Sequence, residues 1–124
     1  MTDAQREHLE KRLLEERRKT AEALDRYEEQ TRTSTEDDGE LTQYKQHPAD
    51  EGTDTMEQEK QMLMLSKETE LLGHIDEALR RLYKEPETYG VCTNCGSAMD
   101  LERLDLVPWA LLCLNCQTRA EASS

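Results

Sequence analysis

Phenylalanine is absent, tryptophan occurs once, and only 35% of the 124 residues are hydrophobic. So few bulky apolar side chains exclude a large globular core. Proline and glycine are scarce, at three and five residues, so few positions punctuate the chain. No apolar run is long enough to span a bilayer and nothing resembles a targeting segment, which predicts a soluble, cytoplasmic protein with no membrane association. Bases are short too, 16 Lys and Arg against 28 Asp and Glu, for a net charge of -12. A binder of DNA or RNA led by phosphate contacts needs the opposite sign, so direct nucleic-acid binding is disfavoured. Also missing are a Ser-His-Asp or Cys-His constellation, a phosphate loop and an open metal site, which argues against an enzyme.

What the chain does have is charge, in 35% of its residues. Long helices suit this composition, because a two-helix seam uses a thin apolar stripe and leaves the other faces to Glu, Lys and Arg. Residues 3–32 predict one such helix, with Leu9, Leu13, Thr20, Leu24 and Tyr27 recurring at helical spacing. Glu7 with Lys11 and Glu22 with Arg26 support it at i, i+4. The run Thr31 to Gly39, rich in Ser, Thr, Asp and Gly, is expected to stop this helix, and the chain to about Thr53 to be irregular, with Pro48 and Gly52 as further punctuation. A second helix is predicted from Thr55 to Lys84 on Leu65, Leu72, Ile75, Leu79 and Leu82, thickened by Met62 and Met64 and weakened at Gly73. Folded back on each other, helices of about 45 Å would form an antiparallel hairpin. Its turn would be acidic: residues 34–60 carry nine acids against Lys45 and Lys60, a net of -7.

The only cysteines, Cys92, Cys95, Cys113 and Cys116, fall as Cys-x2-Cys, seventeen residues, Cys-x2-Cys. This spacing predicts one tetrahedral zinc site, each pair on a tight knuckle. Two disulfides are the alternative, disfavoured in a reducing cytosol. Four protein ligands leave no position for water, so the one zinc would be structural. Pro86 is expected to end the second helix, residues 98–112 to form two short strands around Met99 to Leu104, and Trp109 to pack on the metal module. A short helix, Gln117 to Ala122, would follow. The predicted class is therefore mainly α: a long helical hairpin over residues 1–86, acidic around 34–56, then a four-cysteine zinc module over 87–124 with a short C-terminal helix.

This order of parts, with Tyr89-Gly90-Val91-Cys92-x2-Cys95-Gly96, Glu102-Arg103-Leu104 and Pro108 before Cys113-x2-Cys116, resembles the DksA/TraR family of transcription factors. Gly39-Glu40-Leu41-x2-Tyr44-x2-His47-Pro48-Ala49-Asp50 is similar to a stress- or sporulation-associated subgroup. The resemblance implies a regulator that enters the secondary channel of bacterial RNA polymerase and brings acidic tip residues near the catalytic centre without touching DNA. Asp50, Glu51 and Asp54 are the tip candidates, though Asp50-Glu51-Gly52-Thr53-Asp54-Thr55-Met56 departs from the family's Asp-x-x-Asp-x-Ala: either the two Asp lie one residue further apart, or Glu51 and Asp54 keep the spacing and Met56 replaces Ala. Val107 and Gln117 stand where members responding to guanosine tetraphosphate carry bases, which implies a weak response or none.

Plainer readings stand beside these. Asp54 with Glu57 three residues on suits a helix N-cap, and Asp50 after Pro48-Ala49 a turn. Glu36-Asp37-Asp38 reads as a solvated loop in preference to a magnesium site. His8 and His74 read as surface or seam residues and His47 as a loop residue, and Arg103 is expected to pair locally with Glu102 or Asp105. Two other functions remain open: a zinc-containing coiled-coil adaptor for another protein partner, and a redox switch at the cysteines, which would need a reactive thiolate.

Overall fold

The computed structural model describes the backbone of residues 1–41 and 48–123, and the side chains of 1–30 and 55–123. Helices α1 (Asp3–Leu41) and α2 (Pro48–Lys84) are followed by two short ones, α3 (Leu101–Leu106) and α4 (Leu114–Ser123). At the start of α1 the Thr2 amide donates to Gln5 Oε1 at 2.8 Å and the Gln5 amide donates to Thr2 Oγ1 at 3.1 Å. This reciprocal capping box satisfies two N–H groups that a helix start leaves unpaired.

Both long helices outrun their predicted limits. α1 passes through Thr31 to Gly39 and ends at Leu41, and α2 starts at Pro48 instead of Thr55. Ser, Thr and Asp are only weak helix formers and a helical Gly costs about 1 kcal/mol, so this run lacks a hard stop. Pro48 opens α2 because its fixed φ suits a first helical turn, where its missing N–H has no intrahelical role. Asp54 consequently lies seventh in α2, inside the helix and not at its N-cap. Tyr44 and His47 lie outside the described residues, and the acidic run Glu36 to Asp38 lies outside the described side chains.

The chain divides into two compact units, each built on both long helices, which are thus the arms of a helical hairpin. One unit comprises Met1–Arg18 and Gly73–Ser124. Its core joins Leu9 and Leu13 of α1 to Ile75, Ala78, Leu79 and Leu82 of α2, and to Tyr89, Met99, Leu104 and Pro108 beyond. These are the predicted stripe positions, at the spacing that brings one helix face to its neighbour. Arg17 Nε lies 2.7 Å from Asp76 Oδ1 between the helices, and His8 Nε2 lies 2.6 Å from Asp105 Oδ1 between α1 and α3. Arg12 Nε adds a bond to the Asp105 carbonyl at 3.0 Å. These exposed pairs set register more than stability. The other unit, Lys19–Leu72, holds the remaining parts of both helices, with Thr20 buried and Leu24, Tyr27, Leu65 and Leu72 half-buried.

The strands expected around Met99 to Leu104 do not form. α3 occupies 101–106, and one isolated antiparallel bridge, Val91 to Ala98, is what remains of sheet among the described residues. Leu101-Glu102-Arg103-Leu104 are good helix formers, and Glu102 in the first turn suits the helix dipole. The helix places Leu104 at zero exposure in the core.

Candidate metal centre

Both knuckles are built by backbone hydrogen bonds that bring cysteines three residues apart to one side of a turn. In the first, Gly96 N donates to the Cys92 carbonyl at 3.0 Å and Cys92 N to the Ser97 carbonyl at 2.9 Å. Gly96 has φ of 75°, a left-handed conformation in which a Cβ is strained. In the second, Gln117 N donates to the Cys113 carbonyl at 2.9 Å, the first turn of α4. That helix begins at Leu114, three residues before its predicted start, and thereby carries Cys116 on its buried side. Thr93 N and Thr93 Oγ1 both donate to the Leu111 carbonyl, at 2.8 and 3.2 Å, tying one knuckle to the approach of the other.

The result is a cluster of four sulfur atoms lying within 4.8 Å of one another. None is in a disulfide. A tetrahedron with zinc–sulfur bonds of about 2.3 Å has edges of about 3.8 Å. Cys95 Sγ and Cys113 Sγ lie 3.8 Å apart, so the donor set fits zinc in number, chemistry and spacing. One zinc joined to four thiolates links the two knuckles and leaves no open position, which makes it structural. The four cysteines predicted as ligands are thus the four the fold gathers. Cys92 and Cys116 are buried, Cys113 half-buried and Cys95 exposed.

Hydrogen bonds tune the sulfurs unequally. The backbone N–H groups of Cys95 and then Cys113 pull the Cys92 thiol down to about 6, against the effect of burial. The Ser97 hydroxyl, then its amide, lowers Cys95. For Cys116 the Asn94 amide, 3.3 Å from the sulfur, acts to lower the value. Neighbouring thiols, Cys113 foremost, and burial outweigh it and push Cys116 up to about 11. Metal binding must displace that proton, so zinc uptake releases protons here and weakens in acid. Asn94 and Ser97 escaped the sequence reading, although a side-chain donor inside or just after a Cys-x2-Cys loop is the available signal.

Around the cluster, Tyr89 donates its hydroxyl to the Pro108 carbonyl at 2.8 Å in the core, and burial raises its pKa to about 12. Trp109 beside it is half-buried. Arg103 does not pair with Glu102 or Asp105; its Nε donates to the Leu112 carbonyl at 2.9 Å, just before the second knuckle. Asp105 turns to His8 and Arg12. The side chains of Asp50, Glu51 and Asp54 lie outside the described residues, and their backbone belongs to α2. No helix among the described residues is long and apolar enough to cross a membrane.

Residues 87–122 match the model of the prokaryotic dksA/traR C4-type zinc finger. General stress protein 16O of Bacillus subtilis is 30% identical over 122 residues, 98% of this chain and 71% of that protein. The RNA polymerase-binding transcription factor DksA of Haemophilus influenzae is 32% identical over 94 residues, 76% of this chain and 63% of that protein. An uncharacterized Bacillus subtilis protein, YteA, is 38% identical over 72 residues, but these span only 29% of its length. Among solved structures, transcription factor DksA2 from Pseudomonas aeruginosa superposes with a TM-score of 0.78 at 28% identity, covering 99% of this chain and 88% of that one.

Proposed function

Because the chain belongs to the DksA/TraR family of C4 zinc-finger proteins, we propose that it regulates transcription by binding RNA polymerase. The hairpin enters the enzyme's secondary channel and carries its acidic segment toward the catalytic centre. Asp50, Glu51 and Asp54 are the residues assigned to act there, by shifting the populations of polymerase–promoter states and not by catalysing a reaction. The observation that carries this reading is the match of 99% of the chain to a DksA2 structure, hairpin and zinc module together. Charge supports it. Residues 34–60, at a net of -7, would be attracted to basic channel walls and to a magnesium ion, and the same sign repels DNA.

The zinc module positions the hairpin in this scheme. Among the described residues the cysteine cluster is the one group of His, Cys, Asp or Glu arranged to hold a metal, and its four thiols leave no reactive coordination position. We therefore assign a binding role and no enzymatic one. Binding of purified core RNA polymerase, alone and against a competing secondary-channel factor, tests the assignment. Displacement by the competitor is expected, whereas binding that the competitor leaves untouched would place the protein elsewhere on the enzyme.

A further inference from the structure

Three of the chain's five methionines, Met56, Met62 and Met64, fall within nine residues of α2. A helix pair needs about two apolar positions in every seven, yet Met62, Leu63, Met64 and Leu65 are consecutive. The fold divides them. Met64 and Leu65 are half-buried, whereas Met62 and Leu63 are 57% and 53% exposed and Met56 is 72% exposed. Met56 and Leu63, seven residues apart, share one face, with Met62 next to Leu63. Met99, by contrast, is only 7% exposed in the core. The outward half of the run is therefore not explained by packing within the chain. Contiguous exposed apolar side chains mark interaction surfaces, and methionine suits adaptable ones. This face begins two residues after Asp54, within the same unit, Lys19–Leu72.

We propose that Met56 and Met62 form a peroxide-sensitive modification site whose oxidation weakens the docking of α2 on RNA polymerase; the second half rests on the polymerase reading above. In the reaction a thioether lone pair attacks one oxygen of hydrogen peroxide. The S–O bond forms as the O–O bond breaks, and the departing oxygen leaves as water after proton transfer. Sulfur loses two electrons and the peroxide gains them. The sulfoxide is polar and accepts hydrogen bonds, so a face that shed water on docking now retains it. A methionine sulfoxide reductase reverses the change, two thiols becoming a disulfide while the oxygen leaves as water.

The test treats zinc-loaded protein with graded hydrogen peroxide, locates added oxygen by peptide mass spectrometry, and follows zinc release with a chelating dye so that cysteine oxidation is scored separately. Polymerase affinity is measured on the same samples. Met56 and Met62 are expected to oxidise well before Met99, and affinity to fall about fivefold or more as apolar contacts turn polar. Sulfoxide reductase restores it, and Met56→Leu/Met62→Leu binds equally with and without peroxide. Oxidation of Met99 at the same rate, or undiminished affinity of the oxidised, zinc-loaded protein, would overturn the proposal. If untreated protein fails to bind polymerase while the order of oxidation holds, the polymerase reading fails and the regulatory half falls with it.

Discussion

At the scale of single residues, the metal centre shows how far spacing alone carries an argument. Cys92, Cys95, Cys113 and Cys116 were legible because two-residue gaps allow few geometries for a pair of thiolates. Their helpers were not legible, since Asn94, Ser97 and Arg103 act through backbone turns that exist only in the folded chain. Cys92→Ser or Cys113→Ser is expected to lose zinc and melt the module, since structural zinc contributes on the order of 10 kcal/mol to folding. Emission of the single tryptophan, Trp109, would report the loss, and an unchanged melting curve after metal loss would contradict a structural role. Tyr89 gives a pH dependence. Its folded pKa, about 12, lies above the ordinary value of 10, so the unfolded chain loses this proton first. The stabilisation is complete below pH 10 and declines as pH rises toward 12. Tyr89→Phe should flatten that alkaline decline in a urea titration while costing about 1 kcal/mol at neutral pH for the hydrogen bond to Pro108.

The elements were legible where the helical period was long and were misread where composition stood in for it. Leu9, Leu13, Ile75, Leu79 and Leu82 are buried as their spacing required. Thr31 to Gly39 looked like a terminator by its residue types, yet without proline it continues as helix, and Pro48 starts α2 where a break was expected. Leu101 to Leu106 read as strand by partial alternation, whereas six residues of good helix formers close on buried Leu104. Two glycines separate the roles of backbone and packing. Gly73 lies in α2 with open space around a Cβ, so Gly73→Ala should stabilise by about 0.5 to 1 kcal/mol. Gly90 has φ of +80°, and a Cβ there would meet Met1 Cε at 3.1 Å and Leu104 Cδ1 at 3.2 Å. Gly90→Ala should therefore destabilise by about 1 to 3 kcal/mol through backbone strain and crowding. Paired thermal melts would show opposite shifts, and shifts of the same sign would contradict the packing described around α3.

For the whole molecule, charge and family membership point the same way. A chain of net -12 with a C4 zinc finger lacks the basic surface expected of a DNA reader, and its long helices suit insertion into another protein. The acidic segment was visible in the sequence, but its departure from the family's tip pattern leaves the identity of the acting carboxylates to experiment. Replacing Asp50 and Asp54 by Asn should abolish the effect on transcription while leaving polymerase binding within about fivefold, because binding is distributed over the hairpin and base and the tip acts on promoter states. Replacing Leu79 by Asp should instead disrupt the helix pair and with it binding, since Leu79 is buried between the arms. The most direct measurement loads iron(II) into the polymerase's catalytic metal site and maps hydroxyl-radical cleavage of the bound, end-labelled protein. Cuts concentrated within residues 34–56 are the expected result; cuts confined to the zinc module, or none from a protein that demonstrably binds, would contradict entry of the hairpin into the channel.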